Sequence, residues 1–409
     1  MNNATPRKPQ RSSRGKSPSA PPRRRTDLPN TGGPVSARSV ARDALVLIER
    51  DQSYANLRLR PLLEASGLDE RDRRFATELT YGTLRQQRAL DFAVGRFLSS
   101  PPNPVGMALL RLGAYQLLCT EVPDHAAVSE TVAISPKSLR GLVNAVLRKV
   151  ASSHIEWPSI GVELSYPDWI VDLLSADLGH DQAHASLRAM NLAPGVDTRA
   201  DGYIQNSASQ RVARMCDARP GDVIFDLCAA PGGKATVFAS NAALVVAGDI
   251  HSHRMALIAS NAATLGQRDV MLVQLDARQP PLREQSADLV LVDAPCSGLG
   301  VLHRRADARW RIKPQDLIQL SRLQFELLSA AADLVKPGGR LVYSVCTLSR
   351  CETIDVADRF SNDRPDFTSR FAPDDPWIRH GSGAVLLPNS DGQDGMAMFC
   401  WVRDDESIG

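Results

Sequence analysis

The sequence predicts a multidomain protein: an all-α domain on the N-terminal side, followed by an α/β domain built on a parallel sheet. Three observations carry this reading. From Val35 to about Val150 apolar residues recur at helical spacing. From about Ser207 onward, strand-like runs alternate with helical ones, the signature of a sheet with crossover helices. Two of those runs, "LVLVDAPCSGLG" at 289–300 and "GRLVYSVCT" at 339–347, deliver a cysteine at or beyond the carboxyl end, where open α/β sheets bind ligands.

The chain has 409 residues and 43% hydrophobic content, enough for more than one core. Residues 1–34 carry eight Lys/Arg against one acid, Asp27, although the whole chain has a net charge of only +2. Their prolines and serines predict a disordered basic tail that adds non-specific phosphate attraction. Residues 35–150 follow as the helical domain. Val40, Ala44, Leu47 and Ile48 share one face, as do Leu110, Ala114, Leu117 and Leu118, then Leu139, Leu142 and Val146. Breaks at Pro101–Pro104, Pro123 and Pro136 punctuate it.

Residues 151–206 read as a connecting subdomain with two helices, one started by Pro167. Residues 207–409 form the α/β domain, with strands in "DVIFDL", "ALVVAGD", "VMLVQLD", "ADLVLVDA" and "GRLVYSV" and a helix over 315–335. No window resembles a signal peptide and no apolar run approaches the ~20 residues of a membrane span, so a cytoplasmic protein without membrane contact is expected. The seven cysteines include no C-x-x-C pair and no Cys/His cluster at zinc spacing, which argues against a disulfide framework and a metal.

"VIFDLCAAPGGKATVFAS" reads as strand, small-residue turn and helix. Ala229, Ala230, Gly232 and Gly233 let a ligand approach free backbone N–H groups. A phosphate loop requires glycine where Cys228 stands and Ser/Thr where Ala235 follows Lys234, and the dinucleotide pattern G-x-G-x-x-G is absent. S-adenosylmethionine fits better, having no pyrophosphate. Asp249, at the end of the second strand, is placed to accept the ribose hydroxyls, and Asp276, at the end of the third, the adenine amino group. His251, His253 and His303 are not at metal spacing and are expected at the surface. Cys119, Cys216, Cys351 and Cys400 are expected to pack structurally.

The motifs "DLCAAPGGKAT", "DAPCSGLG" and "YSVCT", in that order, resemble those of the RNA cytosine-C5 methyltransferases. The helical segments "ARSVARDALVLIERDQSYANLRL", "FATELTYGTLR", "LRLGAYQLL" and "RGLVNAVLRKV" resemble the NusB-like RNA-binding fold. Together they are similar to the Sun/Fmu-type methyltransferases of small-subunit (16S) ribosomal RNA, over roughly residues 36–403. The resemblance implies a Rossmann-like S-adenosylmethionine-dependent domain whose cofactor site is lined by Cys228, Ala229, Ala230, Pro231, Gly232, Gly233, Lys234, Asp249, Asp276 and Asp293. It also implies Cys346 as nucleophile and Cys296 as the cysteine of product release. The chain departs from the family pattern at Val345-Cys346-Thr347, at "RRADARW", at Ile204-Gln205-Asn206 and in the stretched "DGMAMF".

Cytosine C5 is a poor nucleophile, and adding a thiolate to C6 turns the ring into an enamine that C5 can use. Asp293 is placed to hold the amino edge and help protonate N3. The base must be flipped out to reach such a site. Chemistry alone leaves open which thiol attacks; the resemblance assigns Cys346. The expected partner is small-subunit ribosomal RNA and the expected state a monomer. Other readings are a cytosine-C5 methyltransferase of tRNA or another RNA, a non-catalytic RNA-binding assembly factor with a relict methyltransferase fold, and a small-molecule methyltransferase.

Overall fold

The computed structural model describes residues 35–405 apart from Asn241, Arg268 and 371–373. The basic tail, residues 1–34, lies outside the described residues.

Seven helices occupy Ala37–Asp51, Ala55–Ala65, Glu70–Arg85, Gln87–Gly95, Pro104–Cys119, Asp124–Ala133 and Arg140–Ala151. Local chemistry sets their starts. Ser36 and Ser39 form a capping box, Asp69 caps the third helix, and Asn103 caps the fifth with Pro104 in its first turn. The periodic residues meet in one core that includes Val40, Ala44, Leu109, Leu110, Val143 and Leu147. Leu118, expected on the apolar face, is exposed instead.

Nine strands form the sheet: β1 Val223–Asp226, β2 Leu244–Asp249, β3 Val270–Gln274, β4 Ala287–Asp293, β5 Val335–Val345, β6 Phe367–Ser369, β7 Ile378–His380, β8 Gly383–Leu386 and β9 Met396–Arg403. The order is β3-β2-β1-β4-β5-β9-β8-β7, with β6 also pairing β9. The five expected strands are parallel to one another. The sheet is nevertheless mixed, because β9 runs antiparallel to β5 and brings β6, β7 and β8 with it. The three short strands β6, β7 and β8 carry little period-2 signal, and β9 reads as one continuous apolar run, which hid this half from the sequence. The helix Pro314–Leu334 packs on β4 and β5 through Leu327, Leu328 and Ala331. The helices Asp168–Leu178 and His180–Ala189, from the connecting segment, put Ile170, Leu174, Ala183 and Leu187 into the same core as the sheet.

One segment ties the parts together. After the "PCSGLG" loop the chain runs through 303–311 against the helical domain, and Ala306 enters that domain's core. Arg309, fully buried, donates to the carbonyls of Arg85 (2.9 Å), Ser165 (3.2 Å) and Met190 (3.4 Å) and to Asn191 Oδ1 (2.9 Å). Its guanidinium lies 3.9 Å from the centroid of the Tyr166 ring. Burial lowers its pKa from 12.5 to about 10, so it remains charged at neutral pH. Trp310 Nε1 donates to the Leu84 carbonyl at 3.2 Å, and Arg311 to the carbonyls of Gln52 and Ser53 at 2.8 and 2.5 Å.

Arg309→Ala strips four buried acceptors of a donor at once and is expected to cost about 3 kcal/mol or more of stability. Arg309→Lys, with a charge but no planar fork, is expected to fall between the two. Denaturant titration of the three proteins measures this, and coincident midpoints would contradict the latch.

Candidate active site

The strand order turns back between β1 and β4: β1 leads outward to β2 and β3, and the chain then crosses to β4 and β5. Such a switch point opens a crevice at the carboxyl ends of the two central strands. Asp226 ends β1 and Asp293 ends β4. Asp293 lies opposite Ser344 in the β4–β5 register, so Cys296 and Cys346 follow from adjacent strand ends. Their Sγ atoms are 3.3 Å apart, and both thiols are free.

The pair is electrostatically unequal. The hydrogen bond from Cys296 holds Cys346 below the usual thiol range; burial and Asp293 oppose this, and Arg305 and Lys234 assist it. Cys296 is pushed well up by the same hydrogen bond, by burial and by Glu352. Of the two thiols, Cys346 is the one whose surroundings favour the charged form.

Beside them, Lys234 Nζ lies 2.5 Å from Asp293 Oδ2, and Ser344 Oγ donates to Asp293 Oδ1 at 2.5 Å. Burial pulls the Lys234 pKa down, but Asp293 and Asp226 pull harder and it ends raised. Asp226, a residue that sequence reasoning missed, is 1% exposed, and neither carboxyl oxygen has a hydrogen-bond partner. Burial and the Asp293 charge raise its pKa to about 7. A strand-end aspartate one residue before the Leu227-Cys228 step was the available signal.

A cleft of 620 Å³ brings together Cys228, Ala230, Asp249, Asp276, Asp293, Cys296 and Cys346. Ala229, Ala230, Pro231, Gly233 and Lys234 line a second cavity of 240 Å³ together with Asp226, and Ala230 and Asp293 are common to both. Gly232 lines neither. Its φ is +103°, and a Cβ there would stand 3.0 Å from Ile258 Cγ2, so this glycine is required by the backbone and by the helix Ser252–Thr264 packed on the loop. Cys228 is half-buried in the cleft wall, and burial and the neighbouring carboxylates push its thiol up.

Asp249 is buried at the end of β2, and its Oδ1 accepts from the His251 N–H at 2.9 Å. Asp276 does not end β3, which stops at Gln274. It opens the next turn, accepting from the Arg278 N–H at 3.0 Å, and it holds Arg278 NH2 at 2.6 Å, which lowers its pKa. His303 is not at the surface: it is 2% exposed, with Nε2 2.8 Å from the Asp394 carboxylate, and Asp394 accepts from Arg304 Nε at 2.7 Å. The reason is a backbone crossing in which the Gly395 N–H donates to Gly300 at 2.8 Å, folding the "DGMAMF" segment over the "PCSGLG" loop. Cys216 and Cys400 are buried as expected, whereas Cys119 is exposed.

The site accommodates S-adenosylmethionine. The main cleft falls in the range of small-molecule pockets. Asp249 is placed for a ribose, and the unpartnered Asp226 carboxyl needs a cationic or hydrogen-donating neighbour such as the donor's ammonium group supplies. Arg305, exposed at the cleft mouth and without an ion pair among the described residues, was not singled out by the sequence.

The raised Asp226 pKa predicts a stability slope. Between about pH 4 and pH 7 the folded protein holds a proton that the unfolded chain has released, so cofactor-free stability falls as pH rises through that window, by on the order of 4 kcal/mol. Asp226→Asn should flatten the slope and be the more stable protein at pH 8. Denaturant titrations at pH 5 and pH 8 check the sign.

The comparisons with known proteins agree with this architecture. A family model described as "16S rRNA methyltransferase RsmB/F" matches residues 213–400, and a NusB family model matches residues 35–152. The "Probable ribosomal RNA small subunit methyltransferase B" of Bacillus subtilis (strain 168) is 31% identical over 443 residues, covering 90% of this chain and 99% of the relative. The "Ribosomal RNA small subunit methyltransferase B" of Thermus thermophilus is 36% identical over 385 residues, covering 86% and 94%. The crystal structure of PH0851 shares the fold with a TM-score of 0.71 at 20% identity, over 89% of this chain and 98% of that one. With its NusB domain, its switch-point cleft and full-length relatives of this kind, the chain belongs to the ribosomal RNA small subunit methyltransferase B family, whose methyl donor is S-adenosylmethionine.

Proposed function

We propose that the chain methylates C5 of a cytosine in small-subunit ribosomal RNA through a covalent bond between Cys346 and C6 of the base. The observation that carries the reading is the unequal thiol pair at 3.3 Å, set beside Lys234–Asp293 in the cleft that also holds Asp249. The names of the relatives support the RNA class.

S-adenosylmethionine, when bound along Cys228–Lys234, Asp249 and Asp276, supplies an electrophilic methyl group. The chain's own task is to make C5 nucleophilic. The Cys346 thiolate forms a bond to C6, and the electron pair moves through the ring toward C5 and N3. The Lys234–Asp293 pair holds a proton where the amino and N3 edge of the base would lie, which balances that charge. After C5 has gained its methyl group, its proton passes to water at the open cleft, the C5–H electron pair re-forms the C5–C6 double bond, and the C6–S bond breaks to return the thiolate. The Cys296 thiol, 3.3 Å away, is placed to donate its S–H to the departing thiolate. Arg305 offers an unpaired guanidinium to the phosphate of the flipped nucleotide.

Cys346→Ala is expected to lose methylation and form no RNA adduct. Cys296→Ala is expected to accumulate an adduct that survives denaturing gels, with turnover down by about 100-fold or more. Incubation with ribosomal RNA and labelled methyl donor reads both. The reverse pattern makes Cys296 the nucleophile, and the absence of any adduct with activity retained in both variants rejects covalent catalysis.

A further inference from the structure

Glu352 lies in the short 3-10 turn Arg350–Glu352 after β5 and has no solvent exposure. Its carboxylate accepts from the Ser297 N–H (2.8 Å), Ser297 Oγ (2.5 Å), Thr347 Oγ1 (3.1 Å), Ser349 Oγ (2.9 Å) and Gln324 Nε2 (3.1 Å). Each of these five groups carries a proton it can donate, and a carboxylate offers acceptor sites to all of them. Ser297 follows Cys296 and Thr347 follows Cys346, and their hydroxyls lie 2.8 Å apart. One buried charge thus holds the residue next to each thiol. Gln324 also donates to the Pro295 carbonyl at 2.9 Å, which fixes the other side of Cys296. Tyr343 Oη donates to the Glu352 carbonyl at 2.7 Å and pins the turn to β5.

We propose that Glu352 is a positioning residue that clamps the two cysteine loops at their working separation and gives the two thiols different roles. The proposal rests on the two-thiol reading above. Burying a carboxylate is costly unless its hydrogen bonds repay it, and here those bonds come from the two loops that carry the chemistry. The contact with Cys346 and burial push the Cys296 thiol up most, and the Glu352 charge adds to them, so the clamp also bears unequally on the two thiols. Glu352 touches neither thiol and acts through Ser297 and Thr347.

The test uses the full chain without RNA or cofactor, alkylated by iodoacetamide at neutral pH, with Cys296 and Cys346 quantified separately by peptide mass spectrometry. Wild-type protein is expected to label at Cys346 first. Glu352→Gln, which presents an amide to incoming donors, is expected to reduce that preference about tenfold, as one unit of relative thiol pKa would. Glu352→Asp should restore part of it. In methylation assays, kcat of Glu352→Gln should fall by about 100-fold with little change in KM for RNA, the pattern of misplaced reacting groups. Wild-type labelling preference and kcat in a folded Glu352→Gln protein overturn the proposal. If that variant does not fold, Ser297→Ala and Thr347→Val decide: a preference unchanged in both overturns it, and a reduced one supports it. Loss of preference in Glu352→Gln, with no RNA adduct from any cysteine variant, leaves the clamp standing and removes the covalent reading.

Discussion

The register between β4 and β5 is the constraint on which the rest of the site depends. Asp293 lies opposite Ser344, so the chains leaving the two strands carry their cysteines out side by side. A slip of one residue would turn every side chain on β5 to the other face of the sheet and part the thiols. The register is secured on both flanks. The Ala294 N–H donates to the Ser344 carbonyl at 2.9 Å just past the strand end, and β9 pairs β5 residue for residue from Arg340 to Val345. The antiparallel half of the sheet therefore buries the edge of the strand that delivers Cys346.

Around that register the protein buries more charge than a structural core needs. Asp226, Asp293 and Asp249 end three neighbouring strands, with Lys234 as the cation among them. Like charges so close cannot all ionise at low cost, and Asp226 responds by holding its proton toward neutral pH. A hydrophobic replacement of this cluster would be easier to fold, so the cluster is read as reserved for ligands. Glu352 stands on the other side of the thiols with every acceptor site engaged, and it shows the opposite solution: a charge buried for geometry.

The helical domain is joined to this chemistry through the segment 303–311. Arg309 draws carbonyls from the helical domain and from the connecting helices onto one guanidinium, and His303 and Arg304 share Asp394. The loop that begins with Cys296 is thus continuous with the contact between domains, and Arg305 reaches the cleft from within it. An RNA held by the helical domain would be presented at the cleft mouth without a flexible tether.

The sequence by itself determined the helical domain, the five parallel strands and the motif residues. Helical period gave away the N-terminal domain, and apolar runs ending in Asp293 and in the Val345-Cys346 step marked the two cysteine strands. Those signals are local, and short-range chemistry suffices to read them. Tertiary structure alone decided what meets: the 3.3 Å thiol contact, Lys234 turned onto Asp293, and His303 drawn inward. It also makes the surroundings of the two thiols unequal, although they occupy equivalent contexts in sequence: Glu352 bears on Cys296, while Arg305 and Lys234 favour the charge on Cys346. The physical reason is that burial and pairwise electrostatics depend on distances across 50 or more residues of chain, and no pattern along the chain encodes them.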